Sequence, residues 1–183
     1  LSTFAVLLWL GHDLFTTAPP MPDKVVTTEG TVVFTRADIE KGQQVWQSMG
    51  GQQLGSIWGH GALVAPDWSA DWLHREAEAT LNHRARARES KPFAELTPGR
   101  QAELQTDYAI ETRRNSYDAA THLLTISPER AAVIAEVAGH YDSLFSDDPA
   151  THGLRETYAM KNNTVPSADN RRAMTAFFFW TAW

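Results

Sequence analysis

Apolar residues recur along this chain at two spacings, and the switches between them mark out its elements. Residues 25–34 (VVTTEGTVVF) are two short β-branched runs around Glu29-Gly30, which predicts a hairpin. Thr35 then caps a helix, with the Asp38 carboxylate placed to answer the first free amides. On that helix Ile39, Gly42, Trp46 and Met49 share one face until Gly50-Gly51 stops it. A second helix is predicted from Pro66, with Ala70, Leu73, Ala77 and Leu81 as its inner stripe and Arg75, Glu76 and Glu78 facing outward. Thr97-Pro98 opens a polar helix toward Arg114, and residues 117–126 (YDAATHLLTI) read as a second hairpin. Ser127-Pro128 starts a helix in which Ala131, Ile134, Ala138, Tyr141 and Phe145 recur on one side. Asp147-Asp148-Pro149 closes it. A short helix through Tyr158 and a turn at Asn162-Asn163 then lead to Ser167, the cap of a last apolar segment. The expected fold is mainly α with one or two short β-hairpins.

Both ends of the chain are apolar. Residues 1–10 (LSTFAVLLWL) and 174–183 (MTAFFFWTAW) carry no charge, and each is about half of the ~20 residues that a membrane-spanning helix requires. The pattern therefore predicts the end of one transmembrane helix at 1–10, a looped-out domain at 11–172 and the start of a second transmembrane helix at 173–183. The competing expectation is a pair of hydrophobic helices packed on the domain. FFFW argues against it, because it presents large aromatics all around a helix. Ala18-Pro19-Pro20-Met21-Pro22 is too rich in proline for helix and reads as a stiff exit from the membrane. Arg171 and Arg172 would favour a cytoplasmic loop, but the charge rule applies to loops under ~60 residues, and this one is longer.

Composition narrows the function. A net charge of -6, with only one basic cluster (residues 83–88), excludes the basic stripe that nucleic acid demands, and that cluster reads as a solvated helix end. The absence of cysteine removes disulfides, thiolate zinc sites, iron-sulfur clusters and thioether-bound haem together. Residues 42–77 hold four tryptophans, and six glycines fall between Gly42 and Gly61, the makeup of a compact loop whose backbone approaches something closely.

Two strings in that stretch carry a resemblance. Asp38-Ile39-Glu40-Lys41-Gly42-Gln43-Gln44-Val45-Trp46 resembles the first helix of c-type cytochromes. Gly59-His60-Gly61-Ala62-Leu63-Val64-Ala65-Pro66-Asp67 resembles the Gly-Glu-Gly-Ala-Tyr-x-Ala-Pro-Glu run in the cytochrome subunit of nitric oxide reductases. Between these anchors the relatives carry Cys-x-x-Cys-His; in gapless register the positions here are Gly51, Leu54 and Gly55, with neither thiol nor imidazole. The longer string GSIWGHG through VAPDWSADWLHREA is similar to the quinol-dependent, single-chain nitric oxide reductases, in which a haem-free cytochrome-like domain precedes the catalytic membrane domain.

That resemblance implies a cytochrome c-like helical domain on the periplasmic or extracytoplasmic side of the cytoplasmic membrane. By the same resemblance it would hold no catalytic residue and no cofactor of its own. Its partners would be the C-terminal catalytic membrane domain of the same chain, the membrane, and quinol as electron donor. The intact enzyme would hold haem b and non-haem iron, with calcium a further candidate. Trp58, Gly59, His60, Gly61 and Leu63 would lie against the catalytic domain. Gly61 would keep the backbone carbonyl that relatives offer to calcium, while Leu63 replaces a tyrosine oxygen. Trp46, Leu54 and Trp58 are expected to fill the volume that haem occupies in relatives. Two other classes compete: a ligand-sensing domain between two membrane helices, and a metalloenzyme using His60 or His74. His74 and Glu78, one helical turn apart, read as a surface charge pair.

Overall fold

A computed structural model describes residues 2–17, 19–59 and 61–183. The chain runs through helix α1 (Ser2–Thr17), strands β1 (Lys24–Thr27) and β2 (Val32–Thr35), helices α2 (Arg36–Ser48), α3 (Trp68–Glu89) and α4 (Pro98–Thr112), strands β3 (Tyr117–Asp118) and β4 (Leu123–Ile126), and helices α5 (Pro128–Phe145), α6 (His152–Thr157) and α7 (Ala168–Ala182).

The caps form as the sequence predicts. Thr35 and Asp38 make a reciprocal capping box on α2, the Ser127 hydroxyl accepts from the Arg130 amide on α5, and Ser167 accepts from the Asn170 amide on α7. Both predicted hairpins form, but they are one structure. β1 pairs with β4 in parallel, Val25 opposite Leu124, giving a four-stranded sheet in the order β2-β1-β4-β3. Val25, Thr27, Phe34, Leu124 and Ile126 are its buried positions. Each hairpin alone is too small to be stable, and pairing them edge to edge buries one shared apolar face.

The first and last helices of the globular part, α2 and α7, make the most extensive helix pairing. Gly42 permits it: a Cβ there would overlap the Ala173 carbonyl and stand 2.8 Å from Phe177 Cβ. Residues 173–181 of α7 are buried on every side. The FFFW run that reads as lipid-facing is protein-facing here, because α2, α3, α5 and the sheet surround it. Among the described residues, no helix is long and apolar enough to cross a membrane.

The orientation of α3 departs from the predicted stripe. Ala70 and Leu73 are exposed, whereas Trp68, Trp72, Glu76 and Thr80 turn inward. Two tryptophans bring more apolar area than a leucine and an alanine, and the face that carries them wins. Glu76, expected outside, is only 2% exposed. Its burial is tolerated because Arg130 Nε donates to it at 2.5 Å and Trp72 Nε1 at 2.9 Å. Further along, Arg84 is buried between Glu129 and Glu111, so the basic cluster is not wholly a solvated end. The α3–α4 hairpin beyond it has its own small core of Ala85, Leu96 and Leu104.

Candidate functional site

The loop from Gly55 to Asp67 is built around a carboxylate. Asp67 Oδ2 accepts from the Ser56 hydroxyl at 2.7 Å and from the Gly59 amide at 2.7 Å, while Oδ1 caps α3 by accepting from the Ala70 amide at 3.0 Å. The Ser56 oxygen, having donated its proton to Asp67, accepts from the Gly61 amide at 2.8 Å. Burial alone would raise the Asp67 carboxyl. The hydrogen bonds from Gly59, Ser56, Ala70 and Ser69 outweigh burial and hold it below the usual carboxylate range. Gly55 closes the base with φ +118, and a Cβ there would overlap the Trp68 indole.

Those bonds fix which way the peptide groups point. In a trans peptide the carbonyl lies opposite the following amide. The Gly59 amide turns in to Asp67, so the Trp58 carbonyl turns away. The Ala62 amide donates to the Ala65 carbonyl at 3.0 Å, so the Gly61 carbonyl also points away from the loop interior. The tip beyond is apolar and outward: Leu63 is 100% exposed, and Val64 is exposed beside it.

Trp58 carries this loop onto the rest of the molecule. Its φ is +52, its ring stands 5.6 Å from that of Trp180, and its indole N–H donates to the Thr181 carbonyl at 2.6 Å. Trp58 remains 58% exposed, and with its N–H spent, what its ring offers outward is apolar surface. Trp180 in turn donates from Nε1 to the Pro20 carbonyl at 3.1 Å. The loop, the last turn of α7 and the segment leaving α1 therefore converge on one end of the domain. α1 continues from there with Phe4, Val6, Leu7, Leu8, Trp9 and Leu10 all exposed, an apolar helix left uncovered by the described residues.

Of the residues singled out in the sequence, Trp58, Gly59, Gly61 and Leu63 are thus brought together, and His60 lies outside the described residues. Trp58 does not fill the interior as expected. That volume is taken by Trp68, stacked on Phe178 at 5.7 Å and edge-on to Phe145 at 5.3 Å, and by Trp72 stacked on Tyr141 at 5.4 Å. Trp46 is buried against Phe177, and Leu54 half-buried on a surface groove with Met49 and Asn162. The covalent haem of c-type cytochromes does not fit this donor set: Gly51, Leu54 and Gly55 offer neither thiol nor imidazole, and the space over Gly55 is occupied by Trp68.

Sequence reading missed the Ser56–Asp67 pair and the Trp180–Pro20 link. An Asp directly before a helical run is a capping signal, so Asp67 was findable; the tryptophan contacts join distant parts of the chain, and no local pattern carries them. His74 and Glu78 form an exposed pair at 3.4 Å, and among the described residues no group of three or more His, Cys, Asp or Glu could hold a metal. A groove of about 300 Å³ between α3 and α5 is lined by Arg75, His83, Glu136 and His140.

Residues 22–183 match the family model for the NorB cytochrome c-like domain of nitric oxide reductase. The comparison with curated proteins returns no match.

Proposed function

The chain belongs to the family of NorB cytochrome c-like domains of nitric oxide reductase, and from that premise we propose that it is the non-catalytic extracytoplasmic cover of a quinol-dependent membrane enzyme that reduces NO to N2O. In this reading the domain sits on the extracytoplasmic face of the cytoplasmic membrane and α1 is the end of a transmembrane helix. The apolar end bearing Trp58, Gly59, Gly61 and Leu63 rests on the C-terminal catalytic domain of the same chain, whose helices bind haem b and non-haem iron and receive electrons from quinol. The observation that carries the reading is the convergence of the loop, the α7 terminus and the root of α1 on one apolar end. A face so built shields what lies beneath it from water.

The test is made on the full-length protein. Haem and iron assays are expected to find both, with quinol-dependent NO consumption. Haem staining after denaturing electrophoresis of the proteolytic fragment carrying residues 1–183 is expected to be blank. A stained fragment, or a full-length protein lacking iron, contradicts the reading.

Calcium belongs to the same proposal. The outward Gly61 carbonyl supplies one oxygen, and Leu63 supplies none where relatives have a tyrosine, so a cation wanting ~6–8 oxygens is held weakly. Calcium retained during titration with a chelator is expected to be lower in the wild type than in Leu63→Tyr. Equal calcium affinity in the two proteins would show the side-chain oxygen to be irrelevant.

A further inference from the structure

We infer that Asp67, acting through Ser56, is the positioning residue that presents the docking loop to the catalytic domain. The inference rests on the proposed docking role of that loop and goes beyond it, since neither residue lies on the exposed tip. Asp67 and Ser56 are both buried, and together they receive the amides of Gly59 and Gly61, the two glycines that lead into the tip. The bonds form a directed relay. An ionised Asp67 can only accept, so the Ser56 hydroxyl must donate to it, and that leaves the Ser56 lone pairs to accept from Gly61.

Reversing any member breaks the order. With the relay intact, the Trp58 carbonyl is held outward and the Gly61 amide is anchored at the root of the tip before the partner arrives, so docking does not have to order two flexible glycines. The same carboxylate caps α3 through its other oxygen, which fixes the loop relative to Trp68 and Trp72 in the core.

The pair makes a selective test possible. Asp67→Asn keeps the cap, because asparagine caps a helix as well as aspartate does. With its Oδ1 serving Ala70, its Nδ2 faces the Ser56 hydroxyl and the Gly59 amide and, being a donor, accepts from neither. Ser56→Ala removes the acceptor for Gly61, and Ser56→Thr restores a hydroxyl. In the full-length protein, hydrogen exchange at the Gly59 and Gly61 amides is expected to quicken about tenfold or more in Asp67→Asn and Ser56→Ala, the loss of a charge-assisted bond. Exchange in α2 and α7 should be unchanged, Ser56→Thr should return to wild type, and the double variant should add little to either single one.

Quinol-dependent NO turnover should fall in the same two variants, at unchanged haem and iron content. Leu63→Asp, which alters the tip itself, is the control. If Leu63→Asp lowers turnover while Asp67→Asn and Ser56→Ala do not, the loop docks without this relay and the inference is wrong. If none of the three changes turnover, the docking role itself fails. If thermal stability falls in step with exchange throughout the domain, the pair is merely structural and the inference is again overturned.

Discussion

At Gly42 the fold has no room for even one methyl group, since a Cβ would overlap the Ala173 carbonyl and press on Phe177. Gly42→Ala is therefore expected to cost about 3 kcal/mol through overpacking of the α2–α7 crossing, read as a lower midpoint in urea unfolding of the chain. A loss under about 0.5 kcal/mol would mean that the helices separate freely. Glu76 is the opposite case, a charge whose worth lies in its partner. Glu76→Ala leaves Arg130 facing a buried cavity and is expected to cost about 3–5 kcal/mol, much of it recovered when Arg130 is also replaced by Met. Gly42 was legible in the sequence as a residue that invites close approach. The inward turn of Glu76 was not, because its neutralising cation is 54 positions away, on another helix.

Among the elements, α2 and α5 follow their sequence signals closely, since each opens with a side-chain cap and shows one apolar side, whereas α7 keeps its predicted cap but buries its apolar run in protein on every side. α3 has two apolar sides, and only the tertiary competition between Trp68/Trp72 and Ala70/Leu73 decides which is buried. The sheet was half legible: hairpins are local, whereas the parallel β1–β4 pairing joins segments far apart in the chain. α5 carries a pH-dependent element. His140 is pushed below its ordinary value by burial and by the Arg75 cation, partly countered by Asp71, and its Nε2 is buried with no hydrogen-bond partner among the described residues. The fold thus prefers the neutral ring. The unfolded chain takes up the proton more readily, so this contribution is complete above about pH 6.5 and is lost as the pH falls below it. Unfolding free energy followed from about pH 8 to about pH 5 is expected to decline more steeply in wild type than in His140→Phe; parallel curves would contradict the assignment.

For the whole molecule, the proposed function is directional: the apolar end of the domain is the end to be covered, and the proposal is that the catalytic part of the same chain covers it. The aromatic interior supports that end, since Trp68, Phe178 and Tyr141 occupy the middle while α7 runs through to Trp180 and the loop. The cytochrome-like string was legible in the sequence. The meeting of Trp58, Trp180 and Pro20 was not, because it depends on how the last helix lies. The most direct measurement is photo-crosslinking from position 63, with a benzoylphenylalanine replacing Leu63 in the full-length protein in its native membrane, followed by mass spectrometry of the adduct. The account predicts an intramolecular crosslink from residue 63 to the extracytoplasmic face of the catalytic domain, lost when Asp67 is replaced by Asn. Adducts only to lipid or to solvent, with the catalytic domain unlabelled, would contradict it.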